Sequence, residues 1–297
     1  MSLPSILTLV ANRRDNTLSK EAIELGRDIV KGAAPVTLSE GEAVEIPFTT
    51  KDRVAAVEAA RKALGTEQYR VDTIVTGTEW RRKMVLISDM DSTTVDGETM
   101  DDLAKLNGTG EKCAEITHEA MNGKMDFAQS IRARAMLLRG LTVQDLEKTL
   151  QGFKLADDIE ELVRTMNANH ALTALVSGGF TWFTSRIAKV VGFDFNYGNF
   201  LEIKDGVVTG KLLGPILGPL QKREHLIDLC KRRGVTIKDS ITTGDGANDI
   251  PMLTAAGLGV AYHAKPSVRK KVHEQVNFCG MRALLFAQGY HASQIIK

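Results

Sequence analysis

The chain has little that would mark it for a disulfide framework, a polyanion or a membrane. Its 297 residues hold only three cysteines, Cys113, Cys230 and Cys279, far apart and without a CxxC pair. An odd, scattered set reads as reduced core thiols rather than as bridges or a zinc site. Thirty-eight Lys and Arg stand against 37 Asp and Glu, so a net charge of +1 supplies no basic field. Capture of nucleic acid or of an anionic membrane is therefore not expected. The apolar run near the start is too short for a membrane span and has no basic segment before it. Neither a signal peptide nor an anchor is expected, which points to the cytoplasm. No HExxH, no GxSxG and no cluster among the six histidines occurs, so zinc-hydrolase and serine-triad chemistry lack their parts.

What is present, 43% hydrophobic and 25% charged residues, suits a globular chain with room for one large and one small domain. Residues 1–80 read as a separate α+β unit. Ile6 to Val10, Ala43 to Ile46 and Tyr69 to Val75 have strand character, Ser19 to Val30 and Lys51 to Leu64 helical character, and a short strand fits near Pro35 to Leu38. The order βαββαβ is that of a small ferredoxin-like sandwich. Arg81-Arg82-Lys83 marks a charged, solvated joint. From Met84 to residue 297 strands and helices alternate, with strands at Met84 to Ser88, Leu172 to Val176, Ser240 to Thr243 and Leu258 to Ala261. This pattern predicts an α/β fold, a Rossmann-like parallel sheet that binds its ligands at the carboxyl ends of its strands. Between the first two strands lie only helical periods: Glu98 to Leu106, Lys112 to Met121, Phe127 to Leu138, Val143 to Leu150 and Ile159 to Met166. An insertion on the order of 70 residues, at about 97–165, reads as a helical cap. Lys204-Asp205-Gly206 marks a small hairpin.

Chemistry concentrates at the strand ends. Asp89-Met90-Asp91 follows the apolar run Met84 to Ile87 and precedes Ser92-Thr93-Thr94. Taken alone, it fits a solvated turn as well as a nucleophile site. Three later segments favour the site. Ser177 with Gly178 and Gly179 offers a hydroxyl and approachable N–H groups to phosphate oxygens. Lys222, opening a helix, supplies a fixed positive charge for a phosphoryl group. Asp245, in Gly244-Asp245-Gly246-Ala247-Asn248-Asp249, can join Asp89 as a hard oxygen ligand for Mg²⁺. Asn248 and Asp249, one turn on, can orient that ligand shell. The same segment is no dinucleotide loop, because Asp249 stands where a third glycine would and would repel a pyrophosphate. A carboxylate nucleophile, a second acid, a serine, a lysine and an acidic metal site fit phosphoryl transfer through an aspartyl-phosphate.

Asp89 to Thr93, the Val176-Ser177-Gly178-Gly179 turn, Lys222 and the segment 244–249 resemble, in this order, the four motifs of the haloacid dehalogenase superfamily of phosphohydrolases. Within it, residues 84 to about 288 are similar to the phosphoserine phosphatases, with DMDSTTVDGETMDDLA, MNGKMDFAQSIRAR, VSGGF and GDGANDIPML carrying the likeness. The resemblance implies hydrolysis of O-phosphoserine, with Asp89 as nucleophile and Asp91 as general acid and then base. It implies Mg²⁺ held by Asp89, the main-chain carbonyl of Asp91 and Asp245, with Asp249 behind them, and phosphate held by Ser177, Gly178, Gly179 and Lys222. It places Glu98 at the substrate ammonium, Arg134 at its carboxylate, and Phe127 and Met121 around the seryl group, with Asn248 beside them. Another capped phosphomonoesterase or a phosphotransferase would share every core residue. The amino-terminal unit resembles ACT-like domains, for which serine sensing and pairing of two subunits as a homodimer both stay open. The partner expected is a small molecule, not nucleic acid or membrane.

Overall fold

The computed structural model describes every residue except Met1, Asn16 and Asn122, and only the backbone of Met121. The chain opens with β1 (Leu3–Ala11), α1 (Lys20–Val30), β2 (Val36–Ser39), β3 (Ala43–Thr50), α2 (Arg53–Leu64) and β4 (Val71–Gly77). Each helix begins at a side-chain cap: Ser19 accepts from the Ala22 N–H and Asp52 from the Ala55 N–H. The strands form an antiparallel sheet in the order β2-β3-β1-β4, that of a ferredoxin-like sandwich.

From Ile6 onward, every residue of β1 is buried, where a half-exposed strand would alternate. Leu7, Leu9 and Ala11 pack with Ala22, Val57, Ala60 and Leu64 of the two helices. Val10 and Ile74 join the core of the large domain instead. Both faces of the small sheet are thus covered by the same chain.

The second sheet has seven strands in the order β11-β10-β9-β5-β6-β7-β8. They are β5 (Val85–Ser88), β6 (Leu172–Phe180), β7 (Phe195–Lys204), β8 (Val207–Leu213), β9 (Ser240–Gly244), β10 (Leu258–Tyr262) and β11 (Glu274–Val276). All neighbours run parallel except β8, which returns antiparallel on β7. This is the α/β parallel-sheet fold that the alternation of elements predicts. The hairpin at Asp205-Gly206 is longer than its sequence pattern indicates and completes the sheet edge.

Four helices follow β5: α3 (Thr99–Leu106), α4 (Gly110–Met121), α5 (Phe127–Met136) and α6 (Val143–Gly152). They pack on one another, and α5 also on β8. The next helix, α7 (Ile159–Ala168), packs on β6 and on α8 (Thr181–Val191) and α12 (Arg282–Ala287) of the sheet domain. By these contacts the insertion ends at the bridge between Val95 and Leu155, some way before the limit at about 165 read from periodicity. Helix α9 (Pro219–Arg233) precedes β9, and two short helices, α10 (Ile250–Ala255) and α11 (Pro266–Arg269), flank β10.

Candidate active site

Ser88 at the end of β5 pairs with Leu175 of β6 on one side and Thr243 of β9 on the other. The residues that follow on the three strands, Asp89, Ser177 and Asp245, therefore emerge at one rim. Here the Asp89 N–H donates to the Thr243 carbonyl (3.0 Å), and the Thr94 hydroxyl donates to the Asp89 carbonyl (2.6 Å). The turn is pinned to the sheet before any ligand arrives.

Lys222 rises from the first turn of α9 and is almost wholly enclosed. Its ammonium lies 2.7 Å from Asp89 Oδ1 and 2.6 Å from Asp249 Oδ1. Burial alone would push Lys222 down, but the charges of Asp249 and Asp89 reverse this and hold it above the usual lysine range. Asp249 spends its other oxygen on the Gly246 N–H (3.0 Å). A Cβ on Gly244 would lie 2.5 Å from the Asp249 carboxyl carbon, so the first glycine of this loop makes room for that acid.

Asp91 Oδ1 accepts from the Thr99 N–H (2.9 Å) and from the Thr99 hydroxyl at the start of α3. Its Oδ2 accepts from the Ser177 hydroxyl at 3.3 Å. Burial pushes the Asp91 carboxyl up to about 7, against the Thr99 hydrogen bonds and helped by the charge of Asp89. A carboxyl titrating near neutrality can both give and take a proton. Gly179 leaves room for this contact, since a Cβ there would sit 3.3 Å from Asp91 Oδ2 and 3.1 Å from the Ser177 hydroxyl.

The Ser177-Gly178-Gly179 segment continues β6 to Phe180 rather than forming a loop before α8. The Gly179 N–H donates to Ser177 Oγ (2.8 Å) and is thus already engaged within the segment. Carboxylate oxygens of Asp89, Asp245 and Asp249 lie within 4.8 Å of one another, all three residues buried. Burial raises the Asp245 carboxyl, Lys265 lowers it, and Asp89 adds to the rise. Hard oxygen donors crowded in this way are the donor set of a small divalent cation, and the residues fit Mg²⁺.

The helical insertion roofs the rim. The cavity beneath it measures about 490 Å³, with Asp89, Asp91, Ser177 and Asp245 on its floor and Glu98, Phe127 and Arg134 on its cap side. Asn248 also lines it. The Phe127 ring would lie 3.2 Å from a Cβ on Gly178, so roof and floor meet there. Glu98 precedes α3 and accepts from the Ser92 hydroxyl (3.0 Å). Arg134 Nη1 approaches the Thr117 hydroxyl at 3.5 Å, while its buried Nε has no partner. The side chain of Met121 lies outside the described residues. A larger and more apolar groove of about 830 Å³ beside β7 and β8 contains none of these acids, so chemistry rather than volume marks the site.

A family model described as haloacid dehalogenase-like hydrolase matches residues 86–254. The chain belongs to this family. A phosphoserine phosphatase of Vibrio cholerae is 38% identical over 237 residues, 80% of this chain and 71% of that one. One from Haemophilus influenzae is 39% identical over 201 residues, 68% of this chain and 64% of that one, so the hydrolase spans under two thirds of this relative's length. A crystal structure of a haloacid dehalogenase family hydrolase from Salmonella enterica superposes with a TM-score of 0.85 at 28% identity, covering 96% of this chain and 98% of that one.

Sequence reasoning missed two residues of the hydrolase's site. Lys265 follows β10, the next strand along the same rim, and its ammonium lies 3.2 Å from Asp245 and 3.5 Å from Glu98. The position after a parallel strand was its only signal. Thr99 holds Asp91, and a threonine at the start of a helix is common enough to carry none. Among the described residues, no helix of the hydrolase is long and apolar enough to cross a membrane.

Proposed function

We propose that the hydrolase converts O-phosphoserine to serine and phosphate through an aspartyl-phosphate on Asp89, with Mg²⁺ as cofactor, in the cytoplasm. The observation that carries this reading is Lys222, a buried ammonium fixed between Asp89 and Asp249 beneath a roof that brings Glu98 and Arg134 to the same cavity. Lys222 gives the acidic floor one fixed positive charge for the phosphoryl group, and the roof offers opposite charges, Glu98 and Arg134, for an ammonium and a carboxylate. Phosphoserine has all three groups. The curated relatives from Vibrio cholerae and Haemophilus influenzae bear the name of this activity.

In the first step an oxygen of Asp89 attacks phosphorus, the ester P–O bond breaks, and the seryl oxygen takes the proton of Asp91. In the second, Asp91 accepts a proton from water, the resulting hydroxide oxygen bonds to phosphorus, and the P–O bond to Asp89 breaks. Lys222 and the Ser177 hydroxyl hold the phosphoryl oxygens as charge grows on them. Asp89 and Asp245 would hold the cation by their carboxylates and Asp91 by its main-chain carbonyl. Bound there, it would supply positive charge to offset that of the phosphoryl group. Asp249 keeps Lys222 protonated and in place. Glu98 binds the substrate ammonium and the Arg134 guanidinium its carboxylate. Phe127 keeps water from the seryl group, and Asn248 borders the same space.

A phosphate-release panel over phosphoserine, phosphothreonine, sugar phosphates and pyrophosphate, with and without added acceptor alcohols, tests the reading. The expected result is preferred turnover of phosphoserine with Mg²⁺. Preferred turnover of another ester, or transfer to an alcohol, would replace phosphoserine hydrolysis with a second capped-phosphatase activity.

A further inference from the structure

The helical roof joins the sheet domain through two short segments lying side by side. The Ala156 N–H donates to the Thr94 carbonyl (2.9 Å), the Asp96 N–H to the Lys154 carbonyl (3.0 Å), and the Lys154 N–H to the Asp96 carboxylate (2.8 Å). Val95 and Leu155 bridge between them. The chain enters and leaves the roof through this ribbon, while on its far side the roof rests on β8, where Thr142 bridges Val207.

The next two residues, Asp157 and Asp158, are held from outside the large domain. Arg14 pairs with Asp157 through Nη1 and reaches Asp158 Oδ1 through Nη2 (3.1 Å). Arg13 reaches Asp158 Oδ1 (3.0 Å) and Glu161 (3.2 Å). Both arginines lie in the loop between β1 and α1 of the small domain. Exposed ion pairs contribute little by themselves. Here the Asp158 side chain is 9% exposed and that of Glu161 15%, and Arg282 ties Glu161 to Glu42 of the small domain. Asp158 also stands at φ 65, a left-handed conformation uncommon for residues other than glycine, asparagine and aspartate. The Met281 N–H donates to the Asp157 carbonyl (2.8 Å), and a Cβ on Gly280 would lie 2.4 Å from Asp158 Oδ2. The residue pair is gripped on two sides.

We propose that Arg13 and Arg14 are positioning residues for the reaction. By holding Asp157 and Asp158, the small domain fixes the fulcrum of the roof and so sets Phe127 and Arg134 over the floor of the site. The loop touches neither substrate nor reacting atoms; it acts through the ribbon at 94–97 and 154–158. The kinetic consequence rests on the phosphoserine reading above, whereas the mechanical one does not.

The test compares the full chain with the double variants Arg13→Ala/Arg14→Ala and Arg13→Lys/Arg14→Lys, each first shown to be folded by its thermal transition. Amide hydrogen exchange at 94–97 and 154–158 is expected to quicken by at least about tenfold in the alanine variant, from loss of local protection. KM for phosphoserine is expected to rise roughly 3- to 30-fold, the range of couplings carried through packed networks. Turnover of p-nitrophenyl phosphate, which gives Arg134 no carboxylate to hold, should stay nearly constant, and the lysine variant should recover most of the KM. Unchanged exchange in the folded alanine variant, or equal losses on both esters, overturns the proposal. If the unmodified chain fails to turn over phosphoserine, the functional reading falls, and the exchange measurement still decides on the clamp.

Discussion

Lys222 and Arg282 are both cations enclosed by protein, and each sits between two carboxylates. Lys222 meets Asp89 and Asp249 at 2.7 and 2.6 Å in the cleft. Arg282 meets Glu42 at 2.8 Å and Glu161 at 2.6 Å in the seam between the two domains. Their surroundings differ. In the seam every acid has further partners: Glu42 accepts from Ser39 (2.7 Å) and Glu161 from Arg13 (3.2 Å). In the cleft, Asp245 and Glu98 add acid that the half-exposed Lys265 opposes, Asp91 is met by hydroxyl and amide donors alone, and among the described residues Arg134 Nε has no partner. A closed network of buried charge fastens two bodies together. An open one, with acid in excess on the floor and a free donor overhead, is a place for a cation and a substrate.

The largest expected effect breaks the cleft without touching the seam. Asp89→Asn keeps the size of the side chain and removes its nucleophilicity, so turnover should fall by about 10⁴-fold or more. Thermal unfolding should show the protein still folded, and phosphoserine should still bind by calorimetry. Retention of full activity would remove Asp89 from the chemistry. The converse substitution, Arg282→Ala, strands Glu42 and Glu161 in the seam and should cost roughly 3–5 kcal/mol of stability. Denaturant unfolding measures it. A loss under 1 kcal/mol would mean that solvent reaches the seam and that the contrast drawn between the two regions fails.

Arg134→Ala tests the open side of the cleft more finely. A charge-assisted hydrogen bond to the substrate carboxylate is worth roughly 1.5–3 kcal/mol, so KM for phosphoserine should rise about 10- to 100-fold. An aryl phosphate should lose much less. Equal losses would make Arg134 part of the roof's packing.

Asp89, Ser177 and Asp245 were legible in the sequence because a parallel sheet brings the ends of β5, β6 and β9 to one rim. Lys222 was legible only in their company, since a lone helix lysine says nothing. The extent of the helical insertion was less legible: α7 shows the same apolar stripe as a cap helix, and periodicity records that a face is buried but not what buries it. The seam left no local trace at all. Asp72 on β4 accepts from the N–H groups of Asn277, Phe278 and Cys279, some two hundred residues away, and no spacing rule connects such partners. Likewise the two-sided burial of β1 comes from the large domain covering the second face of the small sheet, a tertiary fact that strand propensity does not contain.

A pH profile sharpens the comparison within the seam. Glu274 accepts from the Val75 N–H of the small domain (3.0 Å), and burial raises its carboxyl from 4.5 to about 7, against that hydrogen bond and the charge of Arg61. The folded state therefore keeps a proton that the unfolded chain releases. This contribution to stability is complete below pH 4.5 and is lost as pH rises through 7. Glu274→Gln, which cannot ionise, should lose less stability than the unmodified chain between pH 5 and 8 in parallel denaturant titrations. Parallel profiles for the two proteins would show that Glu274 ionises freely; the part of its surface that meets water limits the size of the difference.

The smallest effect compares two neighbours on one helix. Glu160 and Glu161 are consecutive in α7, carry the same charge and each pair with an arginine. Glu160 meets Arg164 at 2.7 Å with both side chains more than 40% exposed, whereas Glu161 is 15% exposed and bound to Arg282 and Arg13. Solvent already stabilises both members of the outer pair, so Arg164→Ala should change stability by no more than about 0.5 kcal/mol. Glu161→Gln leaves Arg282 facing a neutral amide inside the seam and should cost several times as much. Salt separates the two further: 0.5 M NaCl should erase the Arg164 effect and leave most of the Glu161 effect, because mobile ions screen only charges they can approach. Equal costs at the two positions, or equal salt sensitivity, would show that the seam is wet and that enclosure is not what distinguishes its ion pairs from those on the surface.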